Sequence, residues 1–121
     1  MKLCLGSAQF GLAYGISNQL GQTSQQEVKA ILAMAHAAKI KIIDTASTYG
    51  NCESVLGQCL TNKNTYKFIT KIPPINSDVI NTQQIQTSVD SVQESMQLLN
   101  TKSLHCLLLI IFFLQVTFNL F

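Results

Sequence analysis

Short apolar runs that end on a charged side chain alternate in this chain with stretches of helical period, and few folds accept that pattern. Ile40-Lys41-Ile42-Ile43 ends on Asp44, and Tyr66-Lys67-Phe68-Ile69-Thr70 ends on Lys71. Each reads as a buried strand whose charge stands where the strand emerges into solvent. Lys2 to Leu5 reads as an earlier strand, and the loop from Gly6 to Gly15 that leaves it does not carry the GxGxxG spacing of a dinucleotide-binding turn. Ser24-Gln25-Gln26-Glu27 is a capping box, and Val28, Ile31, Leu32, Ala35 and Ala38 behind it predict a helix over 25–38. Cys52 to Leu60 predicts a short helix with Asn51 as its cap. Pro73-Pro74 opens a loop. From Thr82 the positions Ile85, Val89, Val92, Met96 and Leu99 mark a long amphipathic helix, and Leu104 to Leu109 predicts a buried strand or the start of a longer apolar element.

Strands alternating with helices pair in parallel through right-handed crossovers, and functional side chains at the carboxyl ends of the strands then share one face. This is the pattern of a (β/α) barrel, whose eight units take about 250 residues. With 121 residues, the expected fold is α/β, an incomplete (β/α)8 TIM barrel of about the first four strands and three helices. Core material is ample, since 47% of residues are hydrophobic and 12% charged, which argues against disorder. The net charge of +2 comes from eight Lys and six acids. The Lys residues are scattered, so no basic stripe points to nucleic acid. Cys4, Cys52, Cys59 and Cys106 fit no ligand spacing, and they read as reduced thiols with no metal to bind. The apolar run after Met1-Lys2 is too brief for a signal peptide, and the cytoplasm is the expected compartment.

Asp44, Tyr49 and Lys71 form a chemically coherent set. Taken singly, an Asp at a strand end is often a turn cap and a Thr-Lys pair a solvated strand end. Together they suit carbonyl reduction, in which a hydride acceptor develops alkoxide character and needs a proton. An unperturbed phenol, with a pKa of about 10, donates poorly at neutral pH. A neighbouring ammonium favours the phenolate, and a carboxylate can hold that ammonium in place.

With these residues in view, the chain resembles the aldo/keto reductase family, most closely a bacterial branch that opens with Gly-Ser/Thr-Ala-Gln-Phe-Gly-Leu-x-Tyr-Gly-Ile. The similarity takes in Gly6 through Ile16, Ile43-Asp44-Thr45-Ala46, Tyr49-Gly50, Glu53, Leu56-Gly57, Thr70-Lys71 and Ser91 to Leu109. The resemblance implies NADPH as cofactor, a small-molecule carbonyl substrate and a catalytic tetrad. In it Tyr49 is the acid, Lys71 tunes it, and Asp44 holds Lys71 and lies near the nicotinamide ribose. It also implies that the backbone at Gly6 and Ser7 approaches the nicotinamide. The fourth tetrad member, a His, is expected at position 110, where this chain has Ile110. His105 falls where the family carries an acid opening the fourth strand, and His36 reads as a surface residue of the first helix. Lys39 stands at a helix end where the family has Gly.

From Ile110 to Phe121 the text no longer resembles the family. Two units follow as expectations: residues 1–109, the amino-terminal half of the barrel, and 110–121, an aberrant apolar tail of the kind a frameshift or premature stop produces. The chain as it stands is expected to be inactive, because the later loops that hold the cofactor's phosphate and adenine ends in the family have no counterpart. A rival reading is a non-catalytic half-barrel that acts by self-association through exposed strand edges or with a partner chain. A third makes Leu104 to Phe121 a membrane element, but the uninterrupted run Cys106 to Leu114 is less than half the ~20 residues a spanning helix needs.

Overall fold

The computed structural model describes residues 3–60, 65–75 and 80–109. The expectations for Ile110 and the 110–121 tail lie outside them, as does the start of the first strand at Lys2. Four strands are present: β1 (Cys4–Gly6), β2 (Ile42–Asp44), β3 (Lys67–Ile72) and β4 (Cys106–Leu109). They form one sheet in the order β1-β2-β3-β4, and every neighbouring pair is parallel. The helices are α1 (Ala8–Gly11), α2 (Gln25–Ala37), α3 (Cys52–Cys59) and α4 (Thr82–Leu98). Four parallel strands with a helix after each of the first three form part of a (β/α) barrel wall, as the alternation predicts.

Register sorts the strand residues onto two faces. Leu5, Ile43 and Phe68 are partners across β1, β2 and β3, and Ile43 and Phe68 are fully buried. Val28 and Leu32 of α2, Val55 and Leu56 of α3 and Leu99 at the end of α4 pack with them into one core. Because side chains alternate along a strand, Gly6, Asp44, Ile69 and Cys106, also partners in register, share the opposite face. No helix covers that face among the described residues. Cys4 is exposed and Ile69 only half-buried.

Helix termini follow local chemistry. The Ser24 and Glu27 capping box closes α2 as expected, and Asn81 with Gln84 forms a second box that starts α4. α2 ends in a Schellman motif: Lys39 N–H donates to His36 and Ile40 N–H to Ala35, with Lys39 at φ 58°. Asn100, at φ 51°, ends α4 in the same way, its N–H donating to Gln97 and that of Thr101 to Met96.

Four details depart from the sequence reading. The stretch after β1 contains a single helical turn, α1, which drives Phe10 into the core. Asn51 stands at the N-cap of α3 but makes no side-chain cap bond. Its Oδ1 instead accepts from Gln22 Nε2 at 2.8 Å, so the side chain ties down the preceding loop. The apolar stripe of α4 is only partly inward: Ile85 and Val89 are exposed while Leu99 is buried, at the end of the helix where Leu98 and Leu99 lie against Gly57 of α3. β4 is not a buried strand. Leu107, Leu108 and Leu109 are 41%, 41% and 52% exposed, since β4 is the sheet's outer strand on that side and neither of its faces is fully covered.

Candidate active site

β2 and β3 are adjacent and parallel, so the residues at their carboxyl ends emerge together. Asp44 ends β2, and Lys71 lies one residue before the end of β3. Lys71 Nζ donates to Asp44 Oδ2 at 2.7 Å and to the Thr45 carbonyl at 2.9 Å. This is the one ion pair found among the described residues, and both side chains are partly shielded. The same ammonium lies 4.9 Å from the centre of the Tyr49 ring, a cation–π distance. Burial, the strongest single influence, pulls the Lys71 pKa down; hydrogen bonding and charge from Asp44 and Tyr49 outweigh it and hold the amine above its ordinary 10.5. Lys71 is therefore a cation at neutral pH, fixed between a carboxylate and a phenol.

Tyr49 reaches this position because the chain after β2 folds back at once. Tyr49 N–H donates to Ala46 and Cys52 N–H to Tyr49, and α3 follows directly. α1 packs against this turn without clearance. A Cβ on Gly11 would overlap the Tyr49 carbonyl oxygen and the Cys52 amide nitrogen, so glycine is required there by close approach.

Behind the surface trio lies a buried polar layer. Ser7 Oγ donates to the Asp44 carbonyl at 2.8 Å, and Ser7 N–H donates to the same oxygen at 3.1 Å. The Cys52 thiol is hydrogen-bonded to the Ser7 carbonyl at 3.1 Å and to Ser7 Oγ at 3.2 Å, and it accepts from Thr45 Oγ1 at 3.5 Å. Burial pushes the Cys52 thiol up, so it is a neutral packing group rather than a nucleophile. Thr70 Oγ1 donates to Glu53 Oε1 at 2.7 Å, with both residues buried.

Gly6 and Ser7 differ in what they leave available. The Ser7 hydroxyl, amide and carbonyl are all committed inside the protein. Gly6, in register with Asp44, is exposed, and a Cβ there would meet nothing within 4 Å. His36 and His105 are exposed, and His105 opens β4, its N–H donating to Phe68. A cleft of about 200 Å³ between Pro73-Pro74-Ile75 and the start of α4 is not lined by Asp44, Tyr49 or Lys71. Sequence reasoning missed the Cys52, Ser7 and Thr45 layer and the Gly11 contact. Spacing carries no sign of either, because both join segments far apart in the chain.

The model of the aldo/keto reductase family matches residues 2–115. The chain belongs to the aldo/keto reductase family. Two solved structures from Pseudomonas aeruginosa, both described as aldo-keto reductases, are similar to it. One superposes with a TM-score of 0.72 at 26% identity over 88% of this chain. The other does so with a TM-score of 0.70 at 25% identity, also over 88%. This chain spans 41% of the length of the first and 39% of the second. No curated protein is similar enough to count as a match. The described residues thus form part of an aldo/keto reductase barrel, and among them no helix is long and apolar enough to cross a membrane.

Proposed function

We propose that the chain carries the proton-donating part of an NADPH-dependent carbonyl reductase and that these 121 residues do not turn over by themselves. The observation that carries this reading is the placement of one ammonium 2.7 Å from Asp44 and 4.9 Å from the Tyr49 ring centre, at the ends of adjacent parallel strands. When bound, NADPH supplies the hydride. Tyr49 Oη gives its proton to the carbonyl oxygen as negative charge develops there. Lys71 holds positive charge beside the phenol, which favours release of that proton. Asp44 fixes Lys71 and keeps it charged. The open space at Gly6 beside Asp44 suits the nicotinamide end of the cofactor, while Ser7 serves by holding the Asp44 backbone.

The proposed inertness rests on Ile110 standing where the family has its catalytic His, and on the share of the related structures that the chain does not span. Hydride transfer needs both reactants held in place. The test is NADPH titration followed by fluorescence quenching or calorimetry, together with an assay on a simple aldehyde. Binding in the low micromolar range, or turnover that Tyr49→Phe abolishes, would overturn the claim of inertness; no binding and no turnover is the expected result. A cytoplasmic location is proposed with it, supported by four unpaired cysteines of which Cys4 is exposed.

A second reading has an observation of its own. Leu107, Leu108 and Leu109 on the outer strand β4, and Ile85 and Val89 on α4, leave apolar side chains exposed, which suits a half-barrel that associates with itself. A strictly monomeric elution on size exclusion at high concentration would count against it.

A further inference from the structure

Glu53 is a buried carboxylate to which the reduction chemistry assigns nothing. Its residue is 3% exposed and its Oε1 accepts from Thr70 Oγ1 at 2.7 Å, with Thr70 1% exposed. A carboxylate is rarely buried in a small domain without a partner that must stay in place. Two facts of chain position give this pair its meaning. Thr70 adjoins Lys71 on β3, and its side chain points to the helix-covered face while that of Lys71 points to the open one. Glu53 lies in the first turn of α3, four positions after Tyr49.

The β3 end and the Tyr49–α3 segment are therefore joined twice, besides the bond that Ser47 Oγ, in the turn before Tyr49, donates to the Lys71 carbonyl at 3.2 Å. On the open face the join is Lys71 against the Tyr49 ring, a contact that shifts of an ångström would weaken. On the buried face it is the Thr70–Glu53 hydrogen bond, 2.7 Å long and shielded from water. Asp44 cannot do this work, since its bond to Lys71 joins β2 to β3 and says nothing about where the turn after β2 lies.

We infer that Glu53 and Thr70 are positioning residues that set Tyr49 against Lys71. The inference rests on the reading of Asp44, Tyr49 and Lys71 as one site and is tested without activity. An aromatic ring near Lys71 shifts the resonances of its ε-methylene protons upfield, and that ring-current shift can be read by NMR on the full chain. Tyr49→Leu defines its absence. Thr70→Val and Glu53→Ala are expected to bring the shift to the Tyr49→Leu value, whereas Thr70→Ser and Glu53→Gln, which keep the hydroxyl and an acceptor oxygen, retain it. Folded Thr70→Val or Glu53→Ala protein with the full shift would overturn the inference, and so would Glu53→Gln losing it as completely as Glu53→Ala. If Glu53→Ala fails to fold, the near-isosteric Thr70→Val decides. Loss of the fold in both would also overturn the inference, since the pair would then be a general stability element. A wild-type chain whose Lys71 resonances do not respond to Tyr49→Leu would instead refute the underlying site.

Discussion

Lys71 keeps its charge although partial burial opposes it, because Asp44 and Tyr49 stand beside it. Its pKa is raised above the unfolded value, so the stabilisation it contributes is fully present below the ordinary 10.5 and is lost as pH rises through the higher folded value. Asp44→Asn should remove much of that alkaline loss and bring the Lys71 titration down. Urea midpoints measured across an alkaline series, with Lys71 followed by carbon NMR, would check both. Gly11→Ala is a steric counterpart. Its methyl would overlap backbone at Tyr49 and Cys52, and a cost of about 3 kcal/mol is expected in denaturant unfolding. The pairing of Asp44 with Lys71 was legible because each charge interrupts an apolar run and the strand period fixes its depth. The need for glycine at position 11 was not, since it depends on how close a distant turn comes.

At the scale of elements, helix ends were read well where they depend on neighbours in sequence. Ser24 and Glu27 cap α2 within a few residues of each other. Lys39 was legible through the resemblance, because the family has Gly at that helix end. Its positive φ is strained for a residue with a Cβ, and Lys39→Gly should raise stability by about 1 kcal/mol, read as a higher urea midpoint at unchanged slope. Asn51 shows where local reading stops. The residue type and position suit a cap, but Gln22, distant in sequence, takes its side-chain oxygen. The stripe of α4 fails for a related reason. Periodicity says which residues share a side of a helix, not whether anything stands against it, and Ile85 and Val89 face outward.

For the whole molecule, the order of strands was predictable and the cover on them was not. A (β/α) alternation dictates parallel neighbours, but Leu107 to Leu109 look equally apolar whether a further layer packs on them or not. Leu108 lies on the same face as Lys71, opposite it in register. Leu108→Lys should reduce concentration-dependent association, measured by sedimentation velocity, with little effect on the urea midpoint because the side chain is 41% exposed. The strand order carries one more consequence, for folding. β2, β3 and β4 each pair with the strand before them in the chain, so each pairing closes only one crossover, through α1 and α2, α3 or α4, and none waits for a distant segment. Asp44, Tyr49 and Lys71 are all in place once the chain has reached Ile72. During amino-to-carboxyl synthesis the three side chains can therefore meet as soon as β3 docks on β2, before α4 and β4 add Leu99 to the core and the outer strand to the sheet.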